Sequence, residues 1–246
     1  MAKLQISLYA SIAKDPEQPH RNEDAWLADV AGQRWALSDG ASESYDSRAW
    51  AQALVQKYIA DPGVSTAWVA AAVAEYTRSI DYSALSWSRQ AAFDRGSFAT
   101  LLGVELGPNG TDFEILAIGD SLAVHVRAGA LLASYPYRTA DEFDLRPNLL
   151  STLAQANQFV GEPDFFTGNS DRTWTVVPGD IVYLVTDAVG QWILKELAST
   201  DVPSSLSALE SLQTEADFEA LVLQLRQERR MRLDDSTLVR LVVEPS

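Results

Sequence analysis

The stretch that decides the fold runs from Ser97 to Tyr135: SFATLLGVEL (97–106), a Gly-Pro-Asn-Gly turn, then DFEILAIGDSLAVHVRAGALLASY (112–135). Apolar residues alternate with small or polar ones along it, and Gly119-Asp120 and Ala128-Gly129 punctuate the run as turn dipeptides. This pattern predicts short antiparallel strands joined as a meander, with Asp120 in a hairpin turn. Upstream, QISLYASIA, AWLADV and RWALSDG also read as strands. At Asp46 the period changes: Trp50, Ala53, Leu54 and Tyr58 recur at helical spacing, with Asp46 or Ser47 as N-cap and Asp61-Pro62-Gly63 as a stop. A second helix is expected from Ser65 through Trp68, Ala72, Val73 and Tyr76, fading near Ser83.

Downstream, residues 136–172 lack a sustained period and carry several prolines, so they read as an excursion from the sheet, suited to a flap over a substrate. A buried strand, IVYLVTD, follows, then a helix starting near Ala188, helices at about 204–212 and 215–230, and a closing strand, STLVRLVV. Strands and helices do not alternate as βαβ units, so the expectation is an α+β fold in one domain spanning 1–246, with helices covering antiparallel sheets. The seven tryptophans read as core and helix-packing residues.

Composition narrows the function. The chain has no cysteine, which removes disulfides, thiolate metal sites and cysteine nucleophiles. Its 34 acidic against 19 basic residues give a formal charge of −15, a poor match to a polyanion, so nucleic acid is not an expected partner. No apolar run is long enough to span a bilayer and the N-terminus lacks a signal peptide's pattern, so the reading is a cytoplasmic monomer with no membrane partner.

Acids recur where strands end: Glu23 and Asp24 before AWLADV, Asp39 after RWALS, Asp120 in the Gly-Asp turn, Asp187 after IVYLVT, and Asp234 with Asp235 before STLVRLVV. Aspartate at a strand end has an ordinary explanation, because it tolerates turn geometry and bonds to its own backbone. Taken together, such acids would repel one another unless cations joined them. Oxygen ligands favour magnesium or manganese, and with only His20 and His125 a histidine-rich zinc site is excluded.

In order along the chain, RNEDAW, LSDGAS, GSFATLLG, AIGDSLAVHVRAG, VYLVTDAVG and DDSTLVRL resemble the signature segments of the metal-dependent protein phosphatases of type 2C, its bacterial members above all. The resemblance covers about Leu4 to Val243. It implies a four-layer α/β/β/α sandwich of two antiparallel sheets flanked by helices. It implies hydrolysis of phosphoserine and phosphothreonine in a phosphorylated protein, in signalling, by a hydroxide shared between two divalent cations, Mn2+ or Mg2+. By the same resemblance Asp39 bridges both ions. The Gly40 carbonyl and Glu23 hold the second, Asp187 and Asp234 hold the first, and Asp24 orients metal-bound water. Asp120 with Asp187 would hold a weaker third ion.

Three positions depart from the family pattern. Pro19 stands where many members carry a phosphate-gripping arginine, leaving Arg21 as the nearby candidate for substrate phosphate. Ala41 stands where some carry a histidine, and Ser42-Glu43-Ser44 replaces a glycine pair. These leave two alternatives: a pseudophosphatase that binds phosphoproteins without turnover, and a phosphatase of small metabolites. The arginines in RQERRMR, before Leu233, read as a basic helix end that suits the macrodipole or as a dock for an acidic partner.

Overall fold

The structure, a computed structural model, describes residues 2–42, 44–166, 172–199 and 204–245. It opens with β1 (Ala2–Ile12), β2 (Ala25–Asp29) and β3 (Arg34–Ser38), then α1 (Ser47–Ala60), α2 (Thr66–Arg78) and α3 (Trp87–Asp94). Next come β4 (Phe98–Ala99), β5 (Leu101–Leu106), β6 (Asp112–Ile118), β7 (Leu122–Arg127), β8 (Ala130–Tyr135), β9 (Leu150–Ser151) and β10 (Thr173–Thr175). The chain closes with β11 (Ile181–Val185), α4 (Asp187–Ala198), α5 (Ser204–Ser211), α6 (Glu215–Gln227) and β12 (Ser236–Pro245).

Two five-stranded antiparallel sheets result, ordered β1-β12-β11-β7-β8 and β10-β6-β5-β3-β2, with β4 and β9 forming a small third pair. The period of two along each strand builds the layers. In β11, Val182 and Leu184 enter the core between the sheets, where they meet Trp35, Leu37, Leu102 and Phe113. The alternate residues Tyr183 and Val185 turn outward to pack under Trp192 and Ile193 of α4 and Phe218 and Val222 of α6. On the other flank Ala36, Leu101 and Ile118 carry Trp50 and Leu54 of α1 and Trp68 of α2. The expected α/β/β/α sandwich is therefore the observed one. No helix among the described residues is long and apolar enough to cross a membrane.

Several expectations are corrected. The 97–135 stretch is not one meander: β5 pairs β6 in one sheet, β7 pairs β8 in the other, and β6 and β7 are not neighbours. Gly119-Asp120 is therefore a crossover between sheets, since a tight turn bends the chain without dictating which strands then pair. Gly119 adopts φ +99°, and a Cβ there would lie 2.6 Å from Thr100 Cγ2, so this crossing is open only to glycine. Helix α3 was not anticipated, because it buries none of its residues and leaves no apolar stripe to read. Its Trp87 is 84% exposed, the exception to the core assignment of the tryptophans. Helix α6 ends at Gln227 rather than Arg230, as Arg229 turns left-handed at φ 57°.

Residues 136–172 are more structured than an open excursion. Leu150–Ser151 pairs with Phe98–Ala99, Phe143 and Val160 are buried, and the Asn157 side chain bonds to Ser151 N and O at 2.8 Å each. Residues 167–171 of that segment lie outside the described ones.

Candidate metal centre

Antiparallel pairing places the end of β3, the start of β2, the end of β6, the start of β7, the end of β11 and the start of β12 at one end of the sandwich. Every acid singled out in the sequence follows or precedes one of those ends. Asp39, Gly40, Asp120, Asp187 and Asp234 line a cavity of about 160 Å3, together with Thr100 and with Pro147 and Leu149 from the 136–172 segment. Both sheets contribute to it. The overhanging segment reaches the acids through those two residues. Glu23 lies beside this cavity, in a neighbouring hollow of about 360 Å3 shared with Lys14, His20, Arg21, Ser42 and Ser47. Arg21 thus accompanies Glu23 and does not line the cavity of Asp39.

Short local interactions fix each acid. The Asp39 amide donates to Thr100 Oγ1 at 2.8 Å, and the Thr100 amide donates back to the Asp39 carbonyl at 2.8 Å. Gly40 bridges to Ala99, and a Cβ on it would stand 2.9 Å from the Glu23 and Ser47 carbonyl oxygens, so the two loops close on each other only around a glycine. Glu23 takes a hydrogen bond from Ser47 Oγ and faces Lys14 Nζ at 3.5 Å. Asp24 accepts from Thr237 Oγ1 at 2.6 Å and Thr186 Oγ1 at 3.3 Å, on one oxygen alone. Its other oxygen, Oδ1, is buried with no hydrogen-bond partner.

Electrostatics mark the same end. Burial raises the Asp39 carboxyl well above its usual range, and Asp24, Asp187, Asp120 and Asp234 add repulsion. Burial likewise raises Asp24 well above that range, with Asp235 and Asp187 contributing, and it raises Asp120. Asp187 is pushed up to about 7 by burial, with Arg232 opposing and Asp120 and Asp234 reinforcing. Among the described residues no trio of acids converges on a common point as the side chains stand. The physical reason is that like charges diverge and satisfy themselves on Ser47, Lys14, Thr186, Thr237 and Arg232.

The donor set fits divalent cations: all oxygen, carboxylate-rich, with one buried carboxylate oxygen of Asp24 left over. The fold gives Asp235, one of the acids at the strand ends, a role that the sequence does not show, and it adds three threonines and an arginine to the site. Asp235 is 2% exposed and its two oxygens accept the Lys14 and Glu23 amides, each at 2.7 Å, which pins the Glu23 loop to the start of β12. Thr100, Thr186 and Thr237 each lie inside one of the motif segments; Thr186 adjoins Asp187 and Thr237 stands two residues after Asp235, whereas Thr100 has no acid near it in the sequence to mark it. Arg232, the last arginine of RQERRMR, does not sit at the helix end: its Nη1 lies 3.1 Å from Asp187 Oδ2.

No protein-family model matches the chain, and no curated protein matches it in sequence. Solved structures do. The chain is similar to the catalytic domain of the serine/threonine protein phosphatase PstP, solved with two manganese ions, at a TM-score of 0.59 and 18% identity over 100% of both chains. It is similar to the photosystem II phosphatase PBCP at 0.57 and 17%, over 98% of this chain and 99% of that one. It is also similar to PppA, a regulatory component of T6SS in Pseudomonas aeruginosa, at 0.55 and 20%, over 99% and 100%. The chain therefore has the fold of the type 2C serine/threonine phosphatases.

Proposed function

We propose that this chain is a metal-dependent phosphatase of type 2C that removes phosphate from phosphoserine or phosphothreonine in proteins. The observation that carries the proposal is the cavity that Asp39, Asp120, Asp187 and Asp234 line from separate segments of both sheets, close enough for their like charges to act on one another. Such a cluster is costly to a fold unless cations use it. Asp39 would hold two divalent ions, manganese or magnesium, with Asp187 and Asp234 on the first and Glu23 and the Gly40 carbonyl on the second. Bound there, the ions supply charge for the phosphoryl oxygens and a hydroxide at neutral pH.

The chain's own residues do the rest. Thr100 holds the Asp39 backbone in place, Asp235 holds Glu23, and Thr186 with Thr237 aims Asp24 so that its free Oδ1 can accept a proton from the attacking water. Pro147 and Leu149 line the cavity from the flap side. A phosphorylated protein is the partner this reading requires, and the placement in the cytoplasm belongs to it.

Hydrolysis of an aryl phosphate with manganese, magnesium or chelator tests the proposal on the native chain, Asp39→Asn and Asp187→Asn. Activity should require metal and fall by at least about 1,000-fold in each variant. Metal-independent turnover, or full activity in the variants, would sink it. One observation favours a second reading: Arg21 lines the neighbouring hollow and not the carboxylate cavity, so no arginine at the Pro19 region reaches over Asp39. A native chain that binds manganese and a phosphopeptide yet never turns over would make it a phosphoprotein-binding pseudophosphatase.

A further inference from the structure

Arg232 reaches the acids from the loop ahead of β12, and it changes the cation count that they support. Its Nη1 stands 3.1 Å from Asp187 Oδ2, while Asp187 Oδ1 accepts the Ala188 amide at 2.5 Å, so both oxygens of this carboxylate already have a donor. The guanidinium carbon lies 5.8 Å from the centre of the Phe143 ring, whose side chain is buried in the 136–172 segment. Nε and Nη2 are buried and bond to nothing, so the group is held by its ion pair and by the aromatic face. A guanidinium stays charged at any ordinary pH and is weakly hydrated, which suits it to such a place.

Its charge is felt by two acids in particular. Arg232 is paired directly with Asp187, and its charge also acts on Asp120. The largest charge effects on Asp39 and Asp24 come from other carboxylates. The acidic cluster is thus compensated by the chain itself on its Asp120–Asp187 side and left uncompensated in the middle. Sharing of Asp120 and Asp187 by a third divalent ion would set that ion against a tethered positive charge bonded to the same carboxylate.

We propose that Arg232 is a built-in cation that takes the place of the third ion between Asp120 and Asp187, so that this chain binds two divalent ions and not three. The inference rests on the two-ion reading above. It also gives RQERRMR a use that helix-end charge does not: Arg226 sits in the last turn of α6, whereas Arg232 lies past it, lines a hollow separate from the carboxylate cavity, and pairs with Asp187.

Manganese binding to the metal-free native protein, followed by the loss of the free-ion electron paramagnetic resonance signal, tests it without reference to activity. The native chain should bind two ions, Arg232→Gln should gain a third, and Asp120→Asn in that background should remove the gain. Circular dichroism establishes that the variants are folded. Three ions in the native chain would overturn the inference while leaving the two-metal reading intact, and that measurement decides the matter even if Arg232→Gln does not fold. An Arg232→Gln protein that is folded and still binds two also overturns it. Binding of fewer than two by the native chain overturns the two-metal reading and the inference with it.

Discussion

Strand β11 carries an aspartate at each end, and the two have opposite fates. Asp180, just before the strand, is fully buried, yet it accepts Arg127 Nε at 2.6 Å and Nη2 at 2.8 Å, the Val177 amide at 2.9 Å, and faces His125 Nε2 at 2.8 Å. Burial pushes its carboxyl up, but the bonds from Arg127, Val177 and His125 win, and it is lowered to about 2. Asp187, just after the strand, is 7% exposed and is pushed up to about 7, because burial and the neighbouring Asp120 and Asp234 outweigh Arg232. Asp180 has donors enough to outweigh its burial, and Asp187 does not. One end of the sandwich is complete in itself; the other holds more negative charge than the chain neutralises.

The sharpest way to probe the open end is to remove its central charge. Asp39→Asn should abolish metal-dependent turnover and yet make the metal-free protein more stable, by about 1–3 kcal/mol, since it removes a buried carboxyl and its repulsion with four neighbouring carboxylates. Thermal unfolding in chelator measures this, and a destabilised Asp39→Asn would refute the comparison. At the closed end Asp180→Asn should cost about 2–3 kcal/mol, less than a wholly buried pair because Arg127 is 42% exposed. Manganese stoichiometry should not change in that variant.

These contrasts explain what could be read from the sequence and what could not. The sandwich was legible because period two in strands such as IVYLV sorts side chains between an inner and an outer core. The acids were legible because each adjoins an apolar strand, and a strand end is fixed relative to its neighbours by pairing. The crossover at Gly119-Asp120 was not legible, since the sequence of a turn describes the bend and not the partner beyond it. Nor was Asp180 distinguishable from the acids at the other strand ends. Its donors come from β7 and from the turn before β11, and only the fold assembles them. Arg232 was hidden for the same reason: its significance is an ion pair with a residue 45 positions away along the chain, 232 − 187, made by the meeting of β11 and β12.

Acid and base should attack the two ends separately. Asp180 has a folded pKa below its unfolded one, so its contribution is complete above about pH 4 and is lost as pH falls toward about 2. Asp187 has a folded pKa above its unfolded one. The folded state therefore holds the extra proton, and this group's contribution is complete below about pH 4 and is lost as pH rises to about 7. The metal-free protein should accordingly unfold more easily at pH 8 than at pH 5, by an amount on the order of 1–3 kcal/mol. Manganese should reverse that slope, because cations favour the ionised carboxylates. Denaturant midpoints at both pH values, with and without metal, check it; a metal-free midpoint that rises from pH 5 to pH 8 would contradict the account of Asp187.

The smallest effect is expected away from both ends. Helix α3 buries no residue, and Trp87 on it makes the largest exposed apolar surface among the described residues at 84%. Because its ring is in water in the folded state as in the unfolded one, Trp87→Ser removes almost no burial and should shift stability by less than about 0.5 kcal/mol. Neither the pH slope nor the manganese stoichiometry should move, since the acids of both ends are bonded to other elements than α3. Aryl phosphate hydrolysis should be unchanged in Trp87→Ser as well, and a rate that falls with the substitution would contradict the confinement of the chemistry to the acid-lined end of β11 and its neighbours.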